Sequence, residues 1–407
     1  MKMVNISLGD PLYKVVSCIL WLCCLIVGMI WPEGYLALAI SALTLFFVGA
    51  FVSERSSLHM MFFMGYCTFL FLPAILNWYY LDVEFSLFFY SSFVAVFFLF
   101  LTRNTTINEF VDYGFPVKNV FLIFCLLMLL FIFLDMDAVI AALFAFLIML
   151  MSMSFKQGKI FNNSLVFLCF FAVLCMHLLF SWSGYGRTVV AGWLLLACLQ
   201  FAYSMSFYIN KYLFGMVPGF GAALMASRDL LQLKFTGFKD VLHDSAYGPY
   251  RTASSFTEIL RDRGYDVMGF IDQVVFTFFV FIPRAIWSDK PYGFGFEYTL
   301  RHYDASLIDA GHSIASTLVG DHIYYLGYFG LFTSLLIFYI IASGANLLYR
   351  IKGLNGNGLL IFSASMMVLV WGGMTSFSAR VVVPGMVFVL FTIFLKRLLT
   401  HRLKLLR

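Results

Sequence analysis

The sequence predicts an all-α protein, a polytopic transmembrane helical bundle of about twelve spans with one large extracytoplasmic loop. Three observations predict it. Hydrophobic residues make up 62% of the chain and charged residues 12%, against about 25% charged in a soluble domain. The mean hydropathy is +0.92. The apolar residues fall in long uncharged runs along all 407 residues, continuous rather than alternating, as at 119–134. Continuous runs suit helices, whereas a barrel needs short alternating strands.

Taken in order, the candidate spans are 15–31, 35–52, 59–80, 85–101, 119–134, 138–155, 164–182, 188–208, 212–227, 323–343, 358–374 and 381–395, none of which contains Lys, Arg, Asp or Glu. The span at 212–227 carries Gly215, Pro218, Gly219 and Gly221, a composition that bends or breaks a membrane helix. The chain therefore divides into a bundle at 1–227, a polar loop at 228–322 and a second helical part at 323–407. No short apolar region followed by a small-residue cleavage site opens the chain, so the first span is expected to stay uncleaved.

Lysine and arginine in short loops orient the bundle. With the N-terminus inside, the inner side receives Lys2, Lys14, Arg55, Arg103, Lys118, Lys156, Lys159, Lys211, Arg350, Lys352 and the tail from Lys396 to Arg407. The short outer loops receive only Arg187 and Arg380. Both termini then face the cytoplasm and the large loop faces outward. This spread of positive charge explains the net +5 without any nucleic-acid partner. The eight cysteines lie inside apolar runs, so neither a disulfide framework nor metal-ligand spacing is indicated.

The loop at 228–322 holds nine Lys/Arg, twelve Asp/Glu and four of the seven histidines. Its net charge is therefore −3, and an anionic ligand would need individually placed arginines rather than a basic surface. Residues 228–242 mix apolar and charged positions as a membrane-surface helix does. Residues 251–263 read as a short helix ending at Gly264. Residues 274–282 are apolar but too short to cross. The segment 271–287 is therefore expected to be re-entrant or interfacial, with Pro283 ending its helix and Arg284 delivered to the membrane surface.

Arginine offers a planar fork of donors suited to phosphate. Arg187, Arg251, Arg284, Arg380 and Lys290 are the candidate diphosphate-binding residues. Each could equally anchor at the headgroup level, but Arg187 and Arg380 stand alone in outer loops. His312, Asp321 and His322 are the candidate catalytic residues, since a histidine beside a carboxylate can take a proton from a hydroxyl. His177, alone on an apolar helix, reads as an interior polar residue. Asp289, Asp304 and Asp309 match no standard calcium loop, and no metal or cofactor is expected.

The run Ile282-Pro283-Arg284-Ala285-Ile286-Trp287-Ser288-Asp289-Lys290-Pro291 resembles the Pro-Arg-x-x-Trp-x-x-Lys-Pro segment of the O-antigen polymerases of the Wzy type. Gly320-Asp321-His322-Ile323-Tyr324-Tyr325-Leu326-Gly327 through Gly330 resembles that family's lead-in to the next span, and Gly184-Tyr185-Gly186-Arg187 its outer Ser-Arg position. Two departures are Asp321, where glutamate is commoner, and Ser288, where proline is usual. The resemblance implies a GT-C-like, inverting glycosyltransferase of the bacterial inner membrane. It would move a growing polysaccharide from undecaprenyl diphosphate to a new lipid-linked repeat unit on the periplasmic face. Its partners would be that lipid-linked oligosaccharide, membrane lipids, a chain-length regulator and a flippase. An O-antigen ligase shares the architecture. A polysaccharide flippase or other transporter is the alternative of another class, for which charges or broken helices near the bilayer midplane would speak.

Overall fold

The computed structural model describes residues 34–75, 86–103, 117–132, 137–180, 187–215, 264–282, 284–303, 314–350 and 357–379. Among them all regular structure is helical. The helices are α1 (Gly34–Phe51), α2 (Ser57–Tyr66), α3 (Ser86–Leu101), α4 (Val117–Ile132), α5 (Asp137–Ser154), α6 (Ile160–Phe180), α7 (Arg187–Ser204), α8 (Lys211–Gly215), α9 (Val267–Phe279), α10 (Phe294–His302), α11 (Gly320–Leu326), α12 (Gly330–Arg350), α13 (Asn357–Ala364) and α14 (Met366–Phe377). A π-helical turn at Cys67–Phe71 carries α2 on toward Ile75. The expected spans 15–31 and 381–395, most of 212–227, and the expected loop helices at 228–242 and 251–263 lie outside the described residues.

Among the described residues three helical stretches are long and apolar enough to cross a membrane, Ser57–Ile75, Ile160–Phe180 and Gly320–Tyr349. Their burial differs, and the difference places them. Every residue of α2 from Ser57 to Tyr66 is buried, with α7, α8, α13 and α14 packed around it. A helix apolar all round belongs in the middle of a bundle. On α6, by contrast, Leu165, Leu168, Phe171 and Leu179 are exposed, and on α12 so are Phe332, Leu336, Ile340 and Leu347. Their spacings of three, four, seven and eight positions set them on one face of each helix as apolar stripes. Hydrocarbon solvates such stripes and water does not.

Polar side chains inside the bundle bind one another at one end. His59 is fully buried; its Nδ1 accepts from Ser53 N at 3.0 Å and its Nε2 meets Thr102 Oγ1 at 3.0 Å. Gln200 donates to Ser57 Oγ at 2.7 Å, Tyr203 donates to Glu54 O at 2.7 Å, and Asn346 donates to Leu101 O at 3.2 Å. Asn163 accepts from Lys156 N and donates to Lys156 O and to Ser204 Oγ, closing the α5–α6 connection onto the end of α7. The turns bearing Arg55, Arg103, Lys156, Lys159 and Lys211 thus gather at a single end of the bundle. Strict up-and-down alternation of the spans would place them so.

The chain reverses sharply at the other end. Gly327 has φ +54° and ψ −139°, a conformation open chiefly to glycine. Beyond it α12 runs back beside α11. His322 Nδ1 lies 2.9 Å from Thr333 Oγ1, and a Cβ on Gly330 would lie 2.5 Å from His322 O. A straight helix would separate residues 322 and 333 by about 16 Å. The apolar stretch Gly320–Tyr349 is therefore not one rod. The 21 residues of α12 alone are about 31 Å long, enough to match a hydrocarbon core.

Asn163 is fully buried and joins three groups. Asn163→Ala should cost about 1–3 kcal/mol, the price of orphaned main-chain groups. The expected readout is a lower melting temperature in detergent, while Asn162→Ala, which removes one 3.4 Å bond, should barely move it.

Candidate functional site

Helix α14 is broken at Gly373, whose φ of +68° and ψ of −165° are non-helical. A break inside an apolar bundle frees backbone groups that no water can satisfy, at several kcal/mol each. Neighbouring chain supplies the partners. Thr317 N donates to Trp371 O at 3.0 Å, and Ser316 Oγ donates to Gly372 O at 3.1 Å. On the far side of the break Met374 N donates to Asp321 Oδ2 at 3.1 Å. Asp321 Oδ1 also accepts from its neighbour His322 N at 3.0 Å. Residues 316–321 therefore reach into the bundle to close the break, and Asp321 is the N-terminal cap of the second half of α14.

His322 is buried, with its ring 5.3 Å from that of Phe270. Thr333 Oγ1 donates its proton to Gly330 O at 3.0 Å, so it accepts from His322 Nδ1. The network thus assigns the histidine proton to Nδ1 and leaves Nε2 with its lone pair, the form that acts as a base.

Helix α9 covers these residues and is built inside out. Its N-cap, Asp266, accepts from Gly269 N at 2.8 Å. Gly269, Gln273 and Thr277, four residues apart and hence on one face, are its buried residues. Val267, Met268, Ile271, Phe278 and Phe279 are exposed. The polar face borders a small pocket lined by Gln273, Thr277, Asp321, His322, Tyr325 and Thr375 together with Phe270, Val274, Ile337 and Met374. Gln273 Oε1 and Thr317 Oγ1 are buried and have no hydrogen-bond partner among the described residues. Thr277 O accepts from Ser378 Oγ, fastening α9 to α14.

A charged clasp holds α9 against α10. Arg301 binds Asp266 Oδ2 at 2.8 Å and Glu297 Oε1 at 2.5 Å. Glu297 Oε2 accepts from Gln273 Nε2 at 2.5 Å and from Tyr325 Oη at 2.6 Å. Asp266 N donates to Tyr325 O at 3.0 Å. Sequence reading singled out none of Asp266, Gln273, Glu297 and Arg301, and met Tyr325 only as part of the run from Gly320 to Gly330. The Gly-x-x-x-Gln-x-x-x-Thr spacing of 269–277 is the signal for the first two turns, because it sets small and polar residues on one face of an otherwise apolar helix.

The segment 271–287 contains a helix as expected, but that helix ends at Phe279, ahead of Pro283. Lys290 stops it. Its Nζ donates to Val280 O at 2.6 Å and Ile282 O at 2.8 Å, a cation on the carbonyl end of a helix. Burial, with the positive Arg284 nearby, pushes the Lys290 ammonium below the ordinary lysine range. Arg284 donates to Lys290 O at 2.6 Å and Pro291 O at 3.0 Å and stacks on Tyr292 at 4.1 Å. It is exposed, and with two of its five N–H groups committed here it keeps donors to offer.

The expected site residues are thus partly assembled. Asp321 and His322 share the pocket. Arg284 and Lys290 share the α9–α10 turn and do not line it. Arg187 is the first residue of α7; its side chain, and Arg251, His312 and Arg380, lie outside the described residues. Among the described residues no three His, Cys, Asp or Glu side chains form a group that could hold a metal ion.

A Cβ on Gly373 would lie 2.7 Å from Ser316 Oγ, 2.8 Å from Asp321 Oδ2 and 2.9 Å from Thr317 O. Its backbone conformation adds about 1–3 kcal/mol of strain for any other residue. Gly373→Ala should therefore give little monodisperse protein in size-exclusion chromatography. Gly344→Ala, where a Cβ meets nothing within 4 Å, should match wild type.

No known protein family, curated protein sequence or solved structure matches this chain.

Proposed function

We propose that the chain is a membrane glycosyltransferase that polymerises lipid-linked oligosaccharide repeat units, of the O-antigen polymerase kind, with twelve spans, a GT-C-like arrangement and its reaction on the outer face of the inner membrane. The observation that carries this reading is the pocket beneath α9. There a histidine, a carboxylate and an unpaired amide oxygen meet inside an apolar bundle, next to a hairpin whose turn presents an exposed arginine. These are the groups that a sugar hydroxyl and a lipid diphosphate need.

In the reaction, the bond between the sugar anomeric carbon and the diphosphate oxygen of the donor breaks, and its electron pair leaves with the diphosphate. The acceptor hydroxyl oxygen forms the new glycosidic bond from the opposite side. Its proton passes to His322 Nε2, with Asp321 fixing the helix on which the histidine stands. Arg284, with Arg251 from the same loop and Arg187 and Arg380 from the short outer loops, offsets charge building on the diphosphate. Lys290 acts by holding the turn that presents Arg284. No separate nucleotide site is required, because the lipid diphosphate is itself the leaving group.

The broken helix α14 gives the transporter reading a specific foothold, since unwound backbone at membrane depth marks many transport sites. The lipid-linked intermediates separate the readings. A deletion strain should carry surface lipopolysaccharide with a single repeat unit. Arg284→Ala should show the same pattern at normal protein level, with transfer slowed about 10²–10³-fold as for loss of one charge-stabilising donor. Repeat units stranded on the inner leaflet would identify a flippase, and long chains left on the lipid carrier would identify a ligase.

A further inference from the structure

The geometry points to the apolar arc of α9 as a lipid-binding surface, seated among hydrocarbon chains at the boundary of the membrane with the pocket directly behind it. At 100° per residue, Val267, Phe278, Ile271, Val275, Met268 and Phe279 sweep a single arc of the helix. The buried Gly269, Gln273 and Thr277 lie diametrically opposite, and Gln273 and Thr277 line the pocket. A helix at a water boundary turns its polar side outward; α9 does the reverse. Asp272, exposed like all of the arc but the half-buried Val275, falls at its edge, where a carboxylate can reach the headgroup layer.

Continuity with the bundle identifies lipid as the occupant. Val274 of α9 and Ile337 of α12 line the same pocket, so both helices border it. On α12 the neighbouring Leu336 and Ile340 are exposed and belong to the apolar stripe of a helix long enough to cross a membrane. Both helices thus border one pocket and carry exposed apolar residues on their other faces. Past its end, Phe281 and Ile286 are exposed on either side of the exposed Arg284, so a cation stands at the head of an apolar strip, the complement of an anionic amphiphile. At about 20 Å the thirteen residues of α9 cannot cross a 30 Å core. The helix lies along the membrane boundary, and one helix diameter, about 10 Å, separates lipid from the pocket.

This inference does not depend on the reaction assigned to the pocket, and its test measures no activity. A benzophenone-bearing phenylalanine is placed at Ile271 or Phe278 of the full chain and irradiated in native membranes. Phe332 on α12 serves as the lipid-facing reference and Tyr303 beyond α10 as the contrast. The expected product at Ile271 and Phe278 is a lipid-mass adduct in yield comparable to Phe332, with far less at Tyr303. A crosslink to a second copy of the chain or to another polypeptide would overturn the assignment. So would the absence of a lipid adduct while Phe332 labels. If the Phe278 variant does not insert, Phe279 and Val267 carry the same probe on the same arc.

Discussion

The carboxylate of Asp321 closes a helix that the fold has broken, and the site hangs on that contact. Gly373 interrupts α14 where neither water nor lipid can satisfy a free N–H. Met374 N turns to Asp321, and the carbonyls of Trp371 and Gly372 turn to Thr317 and Ser316. Because Asp321 is adjacent in sequence to His322, the same contact fixes the histidine. The reversal at Gly327 then lays α12 against it, so that Thr333 sets the ring's proton. A polar pocket inside an apolar bundle is costly unless its walls are satisfied. Here one wall atom, Gln273 Oε1, is left without a partner among the described residues. It is where an incoming hydroxyl would find an acceptor.

Much of the helical framework was legible in the sequence, because membrane helices announce themselves by uncharged length. The expected spans 35–52, 85–101 and 138–155 differ from α1, α3 and α5 by a residue or so at each end. Positive charge in short loops located the turns that gather around His59, Asn163 and Tyr203. The reversal at Gly327 and the break at Gly373 were hidden. A glycine in an apolar run carries no local mark of a positive φ, and the partners that permit the break are about fifty residues away in sequence.

Of the site, Asp321 and His322 were legible because charge and imidazole are rare beside an apolar span. The clasp of Asp266, Glu297 and Arg301 was not, since scattered loop charges look alike until the chain folds. The Pro-Arg to Lys-Pro run reads differently once folded. Lys290 stops α9, and Arg284 braces the turn while keeping free donors, so part of the pattern serves the hairpin itself. A substitution at either residue therefore combines a loss of shape with a loss of charge. Lys290→Arg would keep the cation but could not place a compact ammonium on two carbonyls.

The central claim, that His322 takes a proton from a sugar hydroxyl during transfer between lipid-linked saccharides, has a direct measurement. Purified chain in lipid vesicles is given a synthetic polyprenyl-diphosphate oligosaccharide, and products are resolved by mass. The account predicts a ladder of whole repeat units with one polyprenyl diphosphate released per addition. It also predicts that His322→Gln, of wild-type melting temperature, slows the ladder about 10²–10⁴-fold, as for loss of a general base. A ladder unchanged in His322→Gln, or no elongation by the wild-type chain, would contradict it.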